Sequence, residues 1–550
     1  VVCHRFLGPV ILLGVIYLFY ELSIVQGYKI TAYTWPLLAA FRDFIASLLP
    51  SPGFVFDPLL RTVPLGVTDG IVAVMNYIPI FIILFALIAI MEDTGYMARV
   101  AFLLDRVFRY FGLHGQSALP MILSGVFVGG CAIPGVMACR AIKDEKAKLA
   151  TILICPLMNC LAKIPLYVLL VGMFFAAYKG IIMFFISTIT IIIALSVSKI
   201  LSLTLLRRAE TAPFVLEMPA YHLPTVMGVV RRCLERTWLF VKKIATIVII
   251  VALVIYLLMT VPGISRDRKV YYEDQAGHQI EAFFNKLGSD NPYTKLLEGS
   301  KFMEFSIYWD DYKKAKMGAG GRDAKKAVDE KFGERNGEFF KVVKRGKYVI
   351  DGKKVKDKNA MKVNKAYKKL YSNKNKIKRE IKDETIIGSI MGRIGRYIEP
   401  VTKYAGFNWR INIGLISAFA AKENSVATLG SIYQSPPGEK EKALGSRMKE
   451  KEKGWTPLHA LAIILFMTMY PPCIPTLLMV KLESDSAKWA LFATFYPIVL
   501  GSVIAVLVFT GGRLLGLSGM QTMIAFYILA LVVTIILGFI KREGMSDEYA

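Results

Sequence analysis

Residues 125–135 read GVFVGGCAIPG, and residues 470–475 read YPPCIP. Each stretch lies inside an apolar run of membrane-spanning length, the first over 118–138 and the second over 458–480. Glycine loosens a helix and proline removes a backbone donor, so we expect both runs to unwind near the cysteine that each contains. Unwound backbone at membrane depth persists only where protein or a water-filled cavity surrounds it. The two stretches therefore predict a membrane protein with a transport site at its interrupted segments.

The composition of the whole chain agrees with this interpretation. The chain has 550 residues, 55% of them hydrophobic, and a formal net charge of +26. Residues 263–386 hold 31 of the 68 Lys and Arg residues and 19 of the 42 Asp and Glu residues, whereas the rest consists largely of long uncharged runs. This distribution excludes a soluble enzyme, a disordered chain and a nucleic-acid binder with a basic surface. We predict an all-α polytopic membrane protein with one polar insertion.

Eight clean apolar runs are candidates for membrane spans. They cover residues 7–26, 71–91, 149–177, 180–206, 244–262, 411–433, 487–512 and 520–540. If both interrupted segments are re-entrant, eight spans remain and the basic loops 140–148, 207–243 and 435–456 lie in the cytoplasm, as the positive-inside rule favours. If the segments cross fully, there are ten spans and these loops lie outside. We prefer about eight spans in two repeat halves. The halves are parallel repeats if there are eight spans and inverted repeats if there are ten.

The polar insertion separates the two predicted membrane halves. The first half, the insertion and the second half are residues 1–262, 263–386 and 387–550, and each half contains one interrupted segment. A long domain is exempt from the positive-inside rule, and the eight-span arrangement places the insertion outside the cytoplasm. Residues 348–355 predict a hairpin with an Asp-Gly turn. The lysine-rich residues 359–382 predict a solvated helix or coil that either contacts anionic headgroups or keeps the surface soluble.

Sulfur at the interruptions points to a metal ion. Cys131 follows Gly130 and precedes Pro134, and Cys473 follows Pro472. Thiol or thiolate sulfur at an unwound, partly solvated turn binds borderline or soft metal ions, Fe(II) among them. The alternative is that each cysteine is a small buried hydrophobic residue.

Charged residues interrupt or end two of the clean runs. Lys422 and Glu423 lie in the middle of one run, and Glu92 and Asp93 end another. A charge in mid-membrane costs at least roughly 2.5–3.5 kcal/mol on insertion scales, so we expect such groups to face a cavity or a partner. They are either functional, above all Glu423, or structural ion pairs, Lys422 with Glu92 or Glu423 with Arg99.

Cys160 belongs to a further polar interruption, which it shares with Asn159 and Lys163.

The motifs of other protein classes are missing from the sequence. The histidines have no zinc-binding spacing, and the glycine-rich stretch 318–323 lacks the Gly-Lys-Ser/Thr ending of a phosphate-binding loop. The sequence therefore predicts a transporter and not an enzyme.

The chain resembles the membrane domain of the FeoB family, the prokaryotic ferrous iron transporters. The resemblance covers nearly all of residues 1–262 and 387–545 and rests on seven motifs in the same order. These motifs are HRFLG (4–8), MEDTGYMAR (91–99), GCAIP (130–134), AKE (421–423), TLG (428–430), YPPC (470–473) and KWALF (488–492). The interrupted segments fall in the family's two Gate regions, which also occur in nucleoside-transporter-like proteins.

The resemblance implies a multi-pass ferrous iron permease in the inner membrane of a prokaryote. Fe²⁺ would pass between the two halves as substrate, with Cys131, Cys160 and Cys473 as transient ligands and Glu423 as a hard or charge-balancing group. The supporting residues would be Gly130, Pro134, Pro472, Glu92, Asp93 and Lys422. The alternative is a nucleoside or other small-solute carrier of the same architecture.

The resemblance also implies partners. The family's GTP-binding domain would precede His4 or be a separate polypeptide, so GTP and Mg²⁺ enter only through that domain and we expect no cofactor in this chain. The GTP-binding domain would dock on the cytoplasmic face. One candidate surface there is the basic amphipathic stretch 219–243, and the alternative is that this stretch only connects two segments at the membrane interface. We also expect membrane lipid, a small FeoA-like protein and a homo-oligomer, but no nucleic acid. Ala132 and Lys163 depart from the family pattern, which has a polar residue and Arg at these positions.

Overall fold

The computed structural model describes residues 4, 7–76, 78–125, 130–206, 220–288, 291–318, 322–350, 353–420, 422, 424–433 and 441–540. The chain divides into two compact units. Unit 1 comprises Val1–Arg42, Val67–Tyr256 and Met391–Ala550, and unit 2 comprises Asp43–Gly66 and Leu257–Ile390. Unit 2 thus includes the predicted insertion together with residues 43–66, which the sequence analysis assigns to the first membrane half.

Helices account for nearly all the regular structure of the described residues before the insertion. In chain order they are α1 (Leu7–Tyr20), α2 (Gly27–Leu48), α3 (Leu59–Met75), α4 (Ile78–Asp93), α5 (Tyr96–Tyr110), α6 (Ala118–Ser124), α7 (Ala132–Ala138), α8 (Glu145–Ile154), α9 (Ile164–Phe174), α10 (Lys179–Leu203) and α11 (Val226–Thr260). A π-helical turn, Glu21–Gln26, joins α1 to α2. Short 3₁₀ turns follow α7 and α8, at Cys139–Ala141 and Cys155–Leu157, and a third precedes α9 at Leu161–Lys163.

The insertion contains six helices and a two-stranded hairpin among its described residues. They are α12 (Arg266–Leu287), α13 (Pro292–Leu296), α14 (Ser300–Gly318), α15 (Arg322–Arg335), α16 (Gly337–Val343), β1 (Lys347–Ile350), β2 (Lys353–Lys356) and α17 (Lys358–Gly388). The strands are antiparallel, with Lys347 opposite Lys356 and Ile350 opposite Lys353, which confirms the predicted hairpin. Its Asp-Gly turn lies outside the described residues.

The second membrane region is again helical. Its elements are α18 (Ile390–Thr402), α19 (Trp409–Ala420), α20 (Asn424–Ile432), α21 (Glu441–Lys451), α22 (Pro457–Thr468), α23 (Ile474–Ser484), α24 (Ala487–Val506), α25 (Gly512–Leu514) and α26 (Gly519–Phe539). A π-helical segment, Leu507–Gly511, makes α24 and α25 continuous.

Three helical stretches of the described residues are long and apolar enough to cross a membrane. They are Ala176–Leu203, Ala487–Leu514 and Gly519–Phe539. Helices α4 and α5 provide a fourth if this pair, which is bent by 83°, forms one span. The helical content and these apolar stretches confirm the prediction of an all-α membrane protein.

The interrupted segments of the sequence are also interrupted in the structure. The first is split into α6 and α7, and the second into α22 and α23. Three runs that the sequence favoured as continuous spans are broken as well: 149–177 is split between α8 and α9, 411–433 between α19 and α20, and 71–91 between α3, which ends at Met75, and α4, which begins at Ile78. In the first of these, Pro156 and Pro165 have no backbone N–H to continue a helix. Among the described residues, each predicted membrane half therefore contains more than one broken segment.

Unit 2 has an aromatic core of its own. The buried rings are Phe283, Phe302, Phe305, Tyr308, Trp309, Phe332, Phe339 and Tyr367. The lysine-rich helix α17 contributes Val363, Tyr367 and Leu370 to this core, while Lys362, Lys365 and Lys369 of the same helix are exposed. Neither headgroup contact nor solubility alone therefore accounts for α17, because one of its faces is part of the core.

Candidate functional site

Cys131 lies where the first interrupted segment turns into α7. Its backbone is extended (φ −131°, ψ 130°) and caps the helix, and its N–H donates to the Leu123 carbonyl at 2.8 Å. The preceding residue, Gly130, forms a parallel bridge with Cys160, in which the Leu161 N–H donates to the Gly130 carbonyl at 3.0 Å. The bridge brings together two of the three cysteines that the sequence predicts as ligands.

Two glycines make this close backbone approach possible. Gly125 has φ +107°, and a Cβ atom there would lie 2.4 Å from the Asn159 carbonyl oxygen. A Cβ atom on Gly130 would lie 2.3 Å from the Gly125 nitrogen. A side chain at Gly125 would force the two breaks apart, and one at Gly130 would displace the end of α6 within the first break, so both positions require a small residue.

Asn159 fixes the break that carries Cys160. Its side-chain amide donates to Thr190 Oγ1 at 2.9 Å and to the Ile186 carbonyl at 3.1 Å, and its Oδ1 accepts from the Tyr167 hydroxyl at 3.2 Å. All of these groups are buried. Because a buried polar group is costly unless it is hydrogen-bonded, this network holds the break in one position against α9 and α10.

Cys473 occupies the equivalent position in the second interrupted segment. It caps α23 with φ −66° and ψ 157°, directly after Pro472, and its Sγ lies 3.1 Å from Thr476 Oγ1. Helix α23 packs against α7, which begins after Cys131. Farther along the same two segments, Arg140 and Glu483 form a salt bridge of 2.5 Å. The helices that start at Cys131 and at Cys473 are therefore packed side by side.

Lys163 connects the breaks of the two halves. Its ammonium donates to the carbonyls of Leu157 and Met158, each at 3.1 Å, and to the Thr468 carbonyl at the end of α22 at 2.8 Å. Cys160, Cys473 and Lys422 are all close enough to Lys163 to interact with it electrostatically. The arrangement brings sulfur, positive charge and backbone carbonyls from both halves to one buried region of unit 1.

Two protein-family models match parts of the chain. The family model described as "Gate: Nucleoside recognition" matches residues 74–174 and 385–487, so it matches both membrane halves. The model described as "Ferrous iron transport protein B C terminus" matches residues 183–236.

Relatives with a curated name match the chain over almost its whole length. A "Fe(2+) transport protein A/Fe(2+) transporter FeoB fusion protein" of Porphyromonas gingivalis is 27% identical over 524 residues, which are 94% of this chain and 51% of that protein. The "Fe(2+) transporter FeoB" of Staphylococcus aureus is 26% identical, with 94% of this chain and 58% of the relative covered. That of Helicobacter pylori is 24% identical, with 94% and 66% covered.

These matches support a FeoB-family membrane part. The chain is similar to this family over almost its whole length. It spans from about half to about two thirds of the length of these relatives, at 51%, 58% and 66%. No solved structure matches it.

The acidic residues at the end of α4 form ion pairs with α11. Arg236 donates to Glu92 at 2.8 Å, and Arg232 donates to Asp93 at 2.5 Å. The ion pair of Glu92 is thus made with Arg236, so the alternative that paired Glu92 with Lys422 is wrong. The basic stretch 219–243 contains both arginines, and in the structure their charges bind a neighbouring helix.

The remaining charged candidates lie around the break between α19 and α20. Lys422 is 3% exposed, and its carbonyl accepts from the Ser425 hydroxyl at 2.8 Å. Glu423 lies outside the described residues, so its predicted role and its pairing with Arg99 stay predictions. The Arg99 guanidinium donates to the Gly95 carbonyl at 2.6 Å and lies 3.8 Å from the centre of the Tyr221 ring.

Sequence reasoning missed a second thiol pair. Cys139 and Cys155 are fully buried, and their side chains contact each other. No disulfide joins the six cysteines of the described part of the chain. Within the same residues, no three His, Cys, Asp or Glu side chains form a group that could hold a metal ion. The pair left no sequence signal because its members come from two different 3₁₀ turns.

Proposed function

We propose that this chain is the permease part of a ferrous iron uptake system that is linked to a GTPase. The observation that carries the proposal is the position of Cys131, Cys160 and Cys473, each of which directly precedes a helix at a break inside unit 1. The first two are joined through the Gly130–Cys160 bridge, and the third shares the surroundings of Lys163 with Cys160. The names of the relatives support Fe²⁺ as the substrate.

The three sulfurs would bind Fe²⁺ one after another and not as a closed cage. Fe²⁺ accepts thiolate ligands, and a thiol that binds a metal ion gives up its proton. Conduction requires several weak sites, because a tight site would hold the ion. Glu423 would add a hard oxygen or balance charge, with Gly130, Pro134 and Pro472 keeping the breaks open. Glu92, Asp93 and Lys422 would support the pathway from neighbouring segments.

The proposed architecture has about eight transmembrane helices and two Gate segments, 118–138 and 458–480, in two repeat halves. The match of one Gate model to both halves supports the repeat, and so does the break in each of the segments 118–138 and 458–480. The membrane would be the inner membrane of a prokaryote, with residues 263–386 outside the cytoplasm. The domains would be 1–262, 263–386 and 387–550.

The proposed partners are a GTP-binding domain, upstream or separate, and a small FeoA-like protein. The name of the Porphyromonas gingivalis relative, a fusion of transport protein A with FeoB, supports the second. GTP and Mg²⁺ would act only through the GTP-binding domain. Membrane lipid and a second copy of the chain complete the proposed set.

Uptake of radioactive iron by cells that carry the variant Cys131→Ser with Cys473→Ser tests the function. We expect uptake to fall by about tenfold or more, since serine oxygen is a poor substitute for thiolate toward Fe²⁺. The matched control is Cys139→Ser, the same change at a buried cysteine whose Sγ donates to the Gly135 carbonyl. Wild-type uptake by the double variant would refute the sulfur ligands.

A nucleoside or other small-solute carrier is the second candidate, and the description of the Gate model favours it. Such a carrier needs no sulfur in its pathway. Competition assays separate the two functions. A solute carrier would take up labelled nucleoside without iron, and unlabelled nucleoside would reduce this uptake. An iron permease would take up iron at a rate that added nucleosides leave unchanged.

A further inference from the structure

Three backbone carbonyl oxygens converge on one side-chain ammonium in unit 1. Lys163 is completely buried, and its Nζ lies 3.1 Å from the oxygens of Leu157 and Met158 and 2.8 Å from that of Thr468. The first two oxygens belong to the break between α8 and α9, and the third to the end of α22. The two membrane halves therefore supply one shared set of oxygens.

The broken helices leave these oxygens able to accept from Lys163, although the Met158 carbonyl also accepts from the Cys160 N–H at 2.9 Å. The last carbonyls of a helix have no partner within it, and Thr468 is the final residue of α22. Leu157 ends a short 3₁₀ turn and Met158 follows it in an extended conformation. Converging backbone carbonyls are the ligands with which channels replace the hydration shell of a cation. An ammonium, which has three donors, fits the same set of oxygens.

We infer that Lys163 is a tethered cation, which fills a carbonyl site at the junction of the two halves and keeps it closed to free cations. The sulfurs of Cys160 and Cys473 lie near this site, so a transported ion would pass beside it. The buried Lys422 adds positive charge on the same region, which further opposes the entry of a monovalent cation. The identity of the transported ion rests on the proposed function, whereas the closure does not.

Proteoliposomes that contain the full chain test this inference. Neutral Lys163→Met should open the oxygens to small cations and raise the K⁺ leak by about tenfold, which corresponds to about 1.4 kcal/mol of barrier. Lys163→Arg keeps charge and donors and should keep the leak at the wild-type level. The matched control is Lys199→Met, because Lys199 is also buried in unit 1 and its ammonium donates to the Tyr110 carbonyl at 2.7 Å.

The outcomes separate this inference from the proposed function. A leak in Lys163→Met that Lys163→Arg lacks supports the tethered cation even if the wild-type chain moves no iron, a result that would refute only the proposed function. Iron flux in the wild type with no extra K⁺ leak in Lys163→Met overturns the inference. If Lys163→Met does not fold, Lys163→Gln replaces it, since the amide retains two donors. Failure of both neutral variants to fold would also overturn the inference, because the ammonium would then be a structural requirement.

Discussion

Lys374 of unit 2 and Lys163 of unit 1 are both buried, and they have different partners. In unit 2, Lys374 is 5% exposed and donates to Ser306 Oγ at 2.9 Å and to Asp310 Oδ2 at 3.1 Å. In unit 1, Lys163 is completely buried and donates to three backbone carbonyls. The Asp310 carboxylate neutralises the charge of Lys374. The hydrogen-bond acceptors of Lys163 are uncharged backbone carbonyls.

The surroundings of the two lysines differ in the same way. Around Lys374 the chain forms continuous helices, and the interior of unit 2 is filled by rings such as Phe305 and Trp309. Burial there raises the pKa of Tyr308 to about 12. Around Lys163 the helices are broken, and side chains such as Asn159 bind the exposed backbone groups. Unit 2 therefore has a core of packed rings, whereas the centre of unit 1 has hydrogen bonds to backbone groups at the breaks.

The largest effect that we expect concerns the packing of unit 2. Phe305 is fully buried, with ring centroids 4.7 Å from Tyr367 and 5.3 Å from Phe339. Phe305→Ala should lower the free energy of unfolding of unit 2 by about 3–5 kcal/mol, because a cavity replaces the ring. Hydrogen exchange of the full chain, followed over residues 300–318, measures the loss.

The control for this change is Tyr271→Ala, since Tyr271 is an aromatic residue of unit 2 that is 49% exposed. We expect this control to change the exchange little. Iron flux by Phe305→Ala should stay within about twofold of the wild type, because Phe305 belongs to the core of unit 2 and the proposed pathway to unit 1. A collapse of flux in this variant, with unit 1 still folded, would show that the division of roles between the units is wrong.

The parts of this comparison that depend on local sequence could be predicted, and the parts that depend on distant contacts could not. The breaks at Cys131 and Cys473 follow from the glycines and prolines beside them, and the hairpin follows from its Asp-Gly turn. The contact of Lys163 with the Thr468 carbonyl joins residues 305 positions apart, so no local pattern announces it. The contribution of α17 to the core of unit 2 could not be predicted either. Its core-facing residues are spaced among exposed lysines, so the sequence indicates only a lysine-rich segment.

The polar interior of unit 1 gives the next effect. Asn159→Leu removes an amide of similar size and leaves the buried Tyr167 hydroxyl without the acceptor that it uses, Asn159 Oδ1 at 3.2 Å. A buried group that loses its partner costs about 1–3 kcal/mol, so the melting temperature of unit 1 and its iron flux should both fall. Thermal unfolding in detergent and flux in proteoliposomes measure the two effects.

Thr188→Val is the matched control for Asn159→Leu. Thr188 lies on α10, as does Thr190, and its hydroxyl donates to the Phe184 carbonyl at 2.9 Å on its own helix. We expect this variant to behave like the wild type. Equal behaviour of Asn159→Leu and Thr188→Val would mean that the network around Asn159 does not hold the break.

The smallest effect lies at the edge of unit 2, where Asp329 binds three donors. Its carboxylate accepts from Lys316 at 2.8 Å, from Lys344 at 2.5 Å and from the Tyr312 hydroxyl at 2.8 Å. Burial raises the pKa of Asp329, but the hydrogen bonds from Lys316, Lys344 and Tyr312 outweigh it, so the pKa lies below its ordinary value of 3.8. A lowered carboxyl pKa stabilises the folded state above the ordinary pKa, and this contribution is lost as the pH falls through the folded value.

Asp329→Asn should therefore destabilise unit 2 at pH 7, and this loss should become smaller as the pH falls below the ordinary carboxyl pKa of 3.8. We expect a loss of less than about 1 kcal/mol at pH 7, because the carboxylate is 22% exposed and water screens part of the interaction. Hydrogen exchange over residues 322–344 in the full chain, corrected for its intrinsic pH dependence, measures the difference between variant and wild type. The control is Glu330→Gln, a change at the exposed neighbour that should have no such pH dependence. A difference that persists unchanged at pH 3 would mean that Asp329 stabilises unit 2 by packing, as the aromatic core does, and not by charge.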